Sequence, residues 1–456
     1  MFFLRYILLQ LMLIPSFKPL SLNSPRSPMV INWLLIFFPL FFILGNSAMN
    51  LFTVLFCIFS FSYFFKNEVK FSLKNLEIIF LIFCLLLVAS SVLENGEVVK
   101  SISYLRFFIL FYFCNYFFRK KLIDIKKLFN VYSTIVLVVS VDLIIQHFTG
   151  YNIVGLKINN MGATSFFIDE RVAGSFIKSF GFFLVFLIFT RFKNIKFIKI
   201  IYIPILLSII NISIFVTTQR MPMIIWITFL LIYGSIYYKT KLRSIIISFL
   251  ILFLFIINPS SDKISSRYLS FRDDVIQLTS KMTEVHEIFT DKKKLKEFRE
   301  QKGGYGSYRS TLNSGAGHAN LYANSIVIWK SHKLIGIGIK NFYNKCTELK
   351  MYMCSLHPHN YYLEVLVTTG LIGTLFFLIF LCLIFFKSIK LIKINYLNQN
   401  YDKLNFLLIY FVMFLMNFFP LQSTGSIFST SSATYIFIML SLLVSNLTED
   451  NLSSKS

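Results

Sequence analysis

The chain reads as an all-α polytopic membrane protein, and three observations lead there. Of its 456 residues 56% are hydrophobic and 18% aromatic, against 14% charged, with a mean hydropathy of +0.69. The apolar residues come in runs of about 17–25, the length that carries an α-helix across a bilayer. The charges gather between those runs. A transmembrane barrel would show short alternating segments instead.

About twelve spans follow, near 30–47, 49–65, 76–93, 103–118, 128–148, 173–190, 200–217, 221–238, 244–258, 362–386, 404–420 and 429–446. Residues 1–29 are apolar to Phe17 but interrupted by Arg5, and carry no convincing small-residue cleavage site. They read as a cytoplasmic or interfacial segment. The division expected is a membrane domain over 30–258 (spans 1–9), a loop over 259–361, a second membrane part over 362–446 (spans 10–12) and a tail over 447–456.

Orientation comes from charge. Lys66, Lys70 and Lys74 lie in one connection; Arg119, Lys120, Lys121, Lys126 and Lys127 in a second; Arg191, Lys193, Lys196 and Lys199 in a third. Lys239, Lys241 and Arg243, then Lys387, Lys390, Lys393 and Lys403, complete the series. All five alternate onto one side, which the positive-inside rule makes cytoplasmic. Both termini then face inward, and the long loops 149–172 and 259–361 face outward. The net charge of +24 is thereby placed in short loops, and nucleic-acid binding is not indicated.

The large outer loop has its own pattern. Val275, Leu278, Met282, Val285, Phe289, Leu295 and Phe298 recur at amphipathic helical spacing until Gly303-Gly304-Tyr305-Gly306. Lys292-Lys293-Lys294 invites contact with anionic lipid headgroups. Residues 319–331 are apolar enough to pack on the membrane surface, and Gly336-Ile337-Gly338 turns the chain. Cys57, Cys84, Cys114 and Cys382 lie in apolar runs, as small core residues. Cys346 and Cys354 lie in the loop, close enough to pair if its compartment is oxidising.

Three helices enter the membrane from the outer side behind polar residues. Span 6 follows Asp169-Glu170-Arg171, span 8 follows Thr217-Thr218-Gln219-Arg220 with Pro222 in its first turn, and span 10 follows His357-Pro358-His359-Asn360. Helix N-termini offer free N–H groups and partial positive charge. With Arg171 and Arg220 they make a cradle for a phosphate or diphosphate at headgroup depth. The bland readings are snorkelling for Arg220 and pairing with Asp169 or Glu170 for Arg171. His359 suits a general base near neutral pH. Asn360 reads as a substrate contact or as the cap of span 10. Glu364, one turn inside, calls for a partner or a role, because an unpaired carboxylate there is costly. His357 reads as a solvated bystander. A metal would need a third ligand with better spacing than this His-x-His pair provides. Gly370 and Gly373 share a stripe with Thr369 and Thr374, which suits close approach of another helix.

These residues carry a resemblance. His359-Asn360, nine residues, then Gly370-Leu371-Ile372-Gly373 is similar to the signature of the O-antigen ligase and O-antigen polymerase superfamily. The segment Trp329 to Phe342, the turn Thr218-Gln219-Arg220 and the stretch Arg171-Val172-Ala173-Gly174-Ser175-Phe176 resemble further parts of that family, so the likeness covers about 165–375. Two departures are Met221-Pro222 after the arginine and the polar insertion 290–317.

The resemblance implies a GT-C-like glycosyltransferase without a metal or cofactor. The donor would be an undecaprenyl-diphosphate-linked glycan, with Arg220 and Arg171 on the diphosphate and His359 activating the acceptor hydroxyl. Asn360 and Glu364 would support binding, and the site would face the periplasm from a bacterial inner membrane. There Cys346 and Cys354 would close a small loop, worth roughly 2–3 kcal/mol in the chain-entropy picture. The acceptor is either lipid A core, for a ligase, or a second carrier-linked glycan, for a polymerase. A lipid-linked glycan transporter is the reading from another class; it calls for paired broken helices and mid-membrane charges.

Overall fold

A computed structural model describes residues 28–159, 162–168, 172–191, 196–236, 240–257, 317–349, 351 and 354–447. Arg171 with Asp169 and Glu170, the amphipathic pattern over 275–298, the lysines 292–294 and the glycine break 303–306 lie outside the described residues.

The first expected span is two short helices, α1 (Met29–Ile36) and α2 (Phe38–Ile43). Pro39 explains the break: it brings no N–H and crowds the carbonyl of the previous turn. Long helices follow: α3 (Asn46–Lys66), α4 (Asn75–Leu93), α5 (Val98–Arg119) and α6 (Ile125–Thr149). The start of α6 is set by the Asp124 carboxylate, which accepts from Lys127 N, and its end by Gly150 at φ 80. Next come α7 (Ala173–Arg191), α8 (Lys196–Val216), α9 (Arg220–Ile236) and α10 (Thr240–Ile257). Beyond the large loop lie α11 (Gly317–Ser331), α12 (Phe342–Glu348), α13 (Tyr361–Leu397), α14 (Tyr401–Asn417) and α15 (Thr430–Val444).

Among the described residues six helices are long and apolar enough to cross a membrane: α3, α4, α5, α6, α7 and α13. Shorter apolar helices form most of α8, α9, α10 and α15. The chain is a multi-pass α-helical membrane protein. Helix α13 packs along α4, α5 lies against α4 and α15, α6 contacts α7 and α8, and α14 touches both α13 and α15. Aromatic rings fill the interior, Phe80 meeting Phe437 with centroids 4.5 Å apart.

Helix α11, apolar as its composition had suggested, has a protein surface to cover. It packs on α13 and buries Leu321 and Ile328 in a small second core with Ile337, Phe342, Cys346 and Val367. Cys346 and Cys354 are disulfide-bonded at its edge.

Helix α13 is broken once, at Gly370 (φ 63, ψ −164). The expected arrangement put Gly370 and Gly373 on one continuous stripe facing another helix. A loop makes the approach instead. Ile337 N and Gly338 N donate to the Val367 and Thr368 carbonyls (2.9 and 3.0 Å), while Leu371 N and Ile372 N donate to Lys333 and Leu334 O (2.8 and 3.2 Å). A break inside an apolar helix frees such groups, and at membrane depth each needs a protein partner. A Cβ on Gly370 would lie 2.3 Å from Leu334 C and O, and one on Gly336 2.5 Å from Thr368 C and O. Gly373 instead sits against the Thr369 side chain. The last turn of α4 grips the same loop: Ser90 Oγ and Ser91 Oγ accept from Gly338 N and Ile339 N, both at 3.1 Å.

Candidate functional site

The expected motif at the start of α13 meets a loop that composition does not single out, residues 418–429 between α14 and α15. Asn360 caps α13, its Oδ1 accepting from Tyr362 N and Leu363 N at 3.0 and 3.2 Å. Its Nδ2 donates to Pro420 O at 2.7 Å. Both ends of the amide have protein partners, which is the geometry of the cap reading of Asn360. The same holds for Glu364, which is buried: Oε1 accepts from Ser426 Oγ at 2.5 Å and Oε2 from Ile427 N at 2.8 Å. That pairing meets the cost of placing a carboxylate in the apolar layer.

His359 sits between these two anchors at φ 60, a left-handed conformation that side-chain-bearing residues adopt under constraint. The constraint is visible: His359 O accepts from Thr424 N at 2.8 Å, and Nδ1 lies 3.1 Å from Thr424 O. A carbonyl only accepts, so Nδ1 carries the proton and Nε2 keeps the lone pair. Nε2 faces Ser355 Oγ at 3.4 Å. Burial pushes the His359 pKa below the usual histidine range, while the Thr424 carbonyl pulls it back up. The imidazole is therefore a neutral base near pH 7.

Two further imidazoles flank it. The His357 ring lies 4.1 Å and the His318 ring 5.2 Å from that of His359, centroid to centroid. The His357 ring is not solvated, as expected of a loop residue, but largely buried. Burial first, then the neighbouring His359 and Lys340, push its pKa down to about 4. His318, from the first turn of α11, approaches Ser423 Oγ at 3.3 Å. Among the described residues no three His, Cys, Asp or Glu side chains are grouped to hold a metal ion.

Arg220 opens α9 after a turn in which Thr218 is left-handed at φ 59. The turn is tight: a Cβ on Gly174 would lie 2.6 Å from Thr217 Oγ1. Gln219 Oε1 accepts from Ser175 N at 3.1 Å, which fastens the turn to the start of α7. One turn further along α7, Lys178 Nζ donates to Gln422 Oε1 at 3.2 Å. A chain of contacts thus joins the arginine turn to the loop that holds His359.

Residues 203–378 match the family model described as O-Antigen ligase, which supports the superfamily resemblance over that stretch. No curated protein matches the chain. The matched stretch contains Arg220, His318, the disulfide, His359 and the break at Gly370; Lys178 and residues 418–429 lie outside it. Sequence reasoning missed His318, Lys178 and the 418–429 loop. Lys178 carried a usable signal, as a single cation inside an apolar run; the loop carried none, because most of its contacts use the backbone.

Proposed function

We propose that the protein is an O-antigen ligase-like glycosyltransferase, moving a glycan from undecaprenyl diphosphate to a hydroxyl of lipid A core on the periplasmic face of a bacterial inner membrane. The observation that carries this reading is the tautomer of His359. Its Nδ1–H is committed to the Thr424 carbonyl, which leaves Nε2 as the proton acceptor at the mouth of a helix that begins beside polar turns.

The step balances simply. Nε2 takes the proton of the acceptor hydroxyl as its oxygen bonds to the anomeric carbon of the donor glycan. The bond from that carbon to the diphosphate oxygen breaks, and its electron pair leaves with the carrier diphosphate. The proton then passes from the imidazolium to water. Arg220, at a helix N-terminus, suits the growing charge on the leaving group, and we assign Arg171 the same duty. Ser355 Oγ, 3.4 Å from Nε2, stands where the acceptor hydroxyl would enter. A transporter would need its broken helix to open onto a cavity, whereas the break at Gly370 has its backbone taken up by residues 333–338.

His359→Ala and Arg220→Ala test the reading in cells. Both variants are expected in the membrane at native amounts with glycan attachment abolished. Normal surface glycan in both rejects a transferase. Deletion of the protein separates the two acceptors on a lipopolysaccharide gel. Loss of all glycan-bearing bands with carrier-linked polymer retained supports the ligase; a single repeat left on the core supports a polymerase.

A further inference from the structure

Lys178 lies in α7, five residues past its start, or about 7.5 Å along the axis at 1.5 Å per residue. Only 9% of its surface is exposed. An ammonium has three donors and a full charge, yet its hydrogen bond here goes to one neutral amide oxygen, Gln422 Oε1 at 3.2 Å. Among the described residues no carboxylate pairs with it. A buried cation without an anion is costly, and inside a membrane-spanning helix such a residue marks a function by default.

Its surroundings point to the kind of anion it would pair with. Three residues earlier on α7, Ser175 N donates to Gln219 in the turn that carries Arg220. On the other side, Gln422 lies two residues before Thr424, which orients His359. Contacts thus tie the turn of α7 that carries Lys178 to the arginine turn on one side and to the loop that orients His359 on the other.

We propose that Lys178 is a donor-binding residue whose ammonium pairs with the diphosphate of a prenyl-diphosphate-linked substrate. The assignment rests on the transferase reading. It also gives the diphosphate a second cation on the inner side, where Arg220 supplies one from the helix end. The leaving group gains one negative charge as the glycosidic bond breaks, so a fixed ammonium there helps the departing carrier more than the bound one.

Binding of geranylgeranyl diphosphate to the full chain in lipid nanodiscs tests this, with geranylgeraniol as the control for partition of the lipid tail. The native protein is expected to prefer the diphosphate. Lys178→Met should weaken diphosphate binding about tenfold or more, the worth of a hydrogen bond to a charged group, and leave uptake of the alcohol unchanged. Lys178→Arg should recover most of the loss. Removing an unpaired buried charge should not lower the melting temperature of the ligand-free protein. Gln422→Met, which severs the one amide contact and keeps the cation, should lose less affinity than Lys178→Met. Unchanged diphosphate affinity in Lys178→Met overturns the assignment, and so do equal losses in Lys178→Met and Gln422→Met. Lys178→Gln takes the place of the methionine variant, with the same expected outcomes, if that variant does not fold. A native protein with no preference for the diphosphate overturns the transferase reading together with this one.

Discussion

The motif 357–364 and the loop 418–429 face each other across the site and work by different means. The motif brings side chains that can titrate: His357, His359 and Glu364. The loop answers largely with main chain, giving Pro420 O to Asn360, Thr424 N and O to His359, and Ile427 N to Glu364. In the proposed transfer the chemistry sits in the motif, and its aim is set by the loop. A main-chain partner cannot change its charge and resists substitution, so it holds one tautomer of His359 in place. The sharpest test is to remove the motif's base and leave the loop alone. His359→Ala should lower the transfer rate by about 10²–10⁴-fold, the usual worth of a general base, with little change in thermal unfolding. A variant that transfers within tenfold of native would end the division of labour.

Next in size are changes that spare the base and disturb what holds it. Gly370→Ala puts a side chain where φ is +63 and Leu334 C and O would lie 2.3 Å away. Strain of this kind costs roughly 1–3 kcal/mol, and the overlap with a fixed backbone adds to it. We expect a loss of about 3 kcal/mol or more in stability, read by thermal or denaturant unfolding in detergent. A melting temperature within a degree of native would mean that the helix is not broken there. Glu364→Ala removes the acceptor of Ser426 Oγ and Ile427 N, stranding two buried donors at roughly 1–3 kcal/mol each. Its transfer rate should fall less than that of His359→Ala, and an equal fall would move Glu364 from positioning into the chemistry.

How much of this is legible in the sequence follows from the same contrast. Spans can be read because bilayer thickness sets the length of an apolar run, and the entries at Arg220 and His359 stand out because ionisable groups are rare there. Main-chain partners leave no such mark. Pro420, Thr424 and Ile427 act through atoms that every residue has, some sixty positions from the motif they hold. The break in α13 is hidden for a related reason. A glycine in an apolar run fits a continuous helix equally well, and the docking loop that satisfies the break lies more than thirty residues upstream. Pro39, by contrast, is in plain view and still falls within a span that reads as continuous, since hydropathy counts proline's neighbours and ignores its missing N–H. Lys178 is one charge in an apolar run; its burial and its amide partner exist only once α7 and residues 418–429 are side by side.

The smallest effect separates two of the three imidazoles, His359 and His357, by pH. Burial holds His359 below its ordinary value of 6.5, and the proposed reaction needs its free base. Activity should therefore fall on acidification with an acid limb below pH 6.5, and a limb at or above that value would put His359 in open water. His357, pushed down to about 4, should not shape that limb. Its effect belongs to stability: between about pH 6.5 and 4 the unfolded chain binds the proton that the folded loop refuses, so stability declines as pH drops through this window. His357→Asn removes its share of that slope and should leave the activity limb where it was, because burial and the Thr424 carbonyl, not His357, set the His359 pKa. A limb that shifts with the substitution would show that the two rings share one titration, and the motif would then act as a pair in place of a single base.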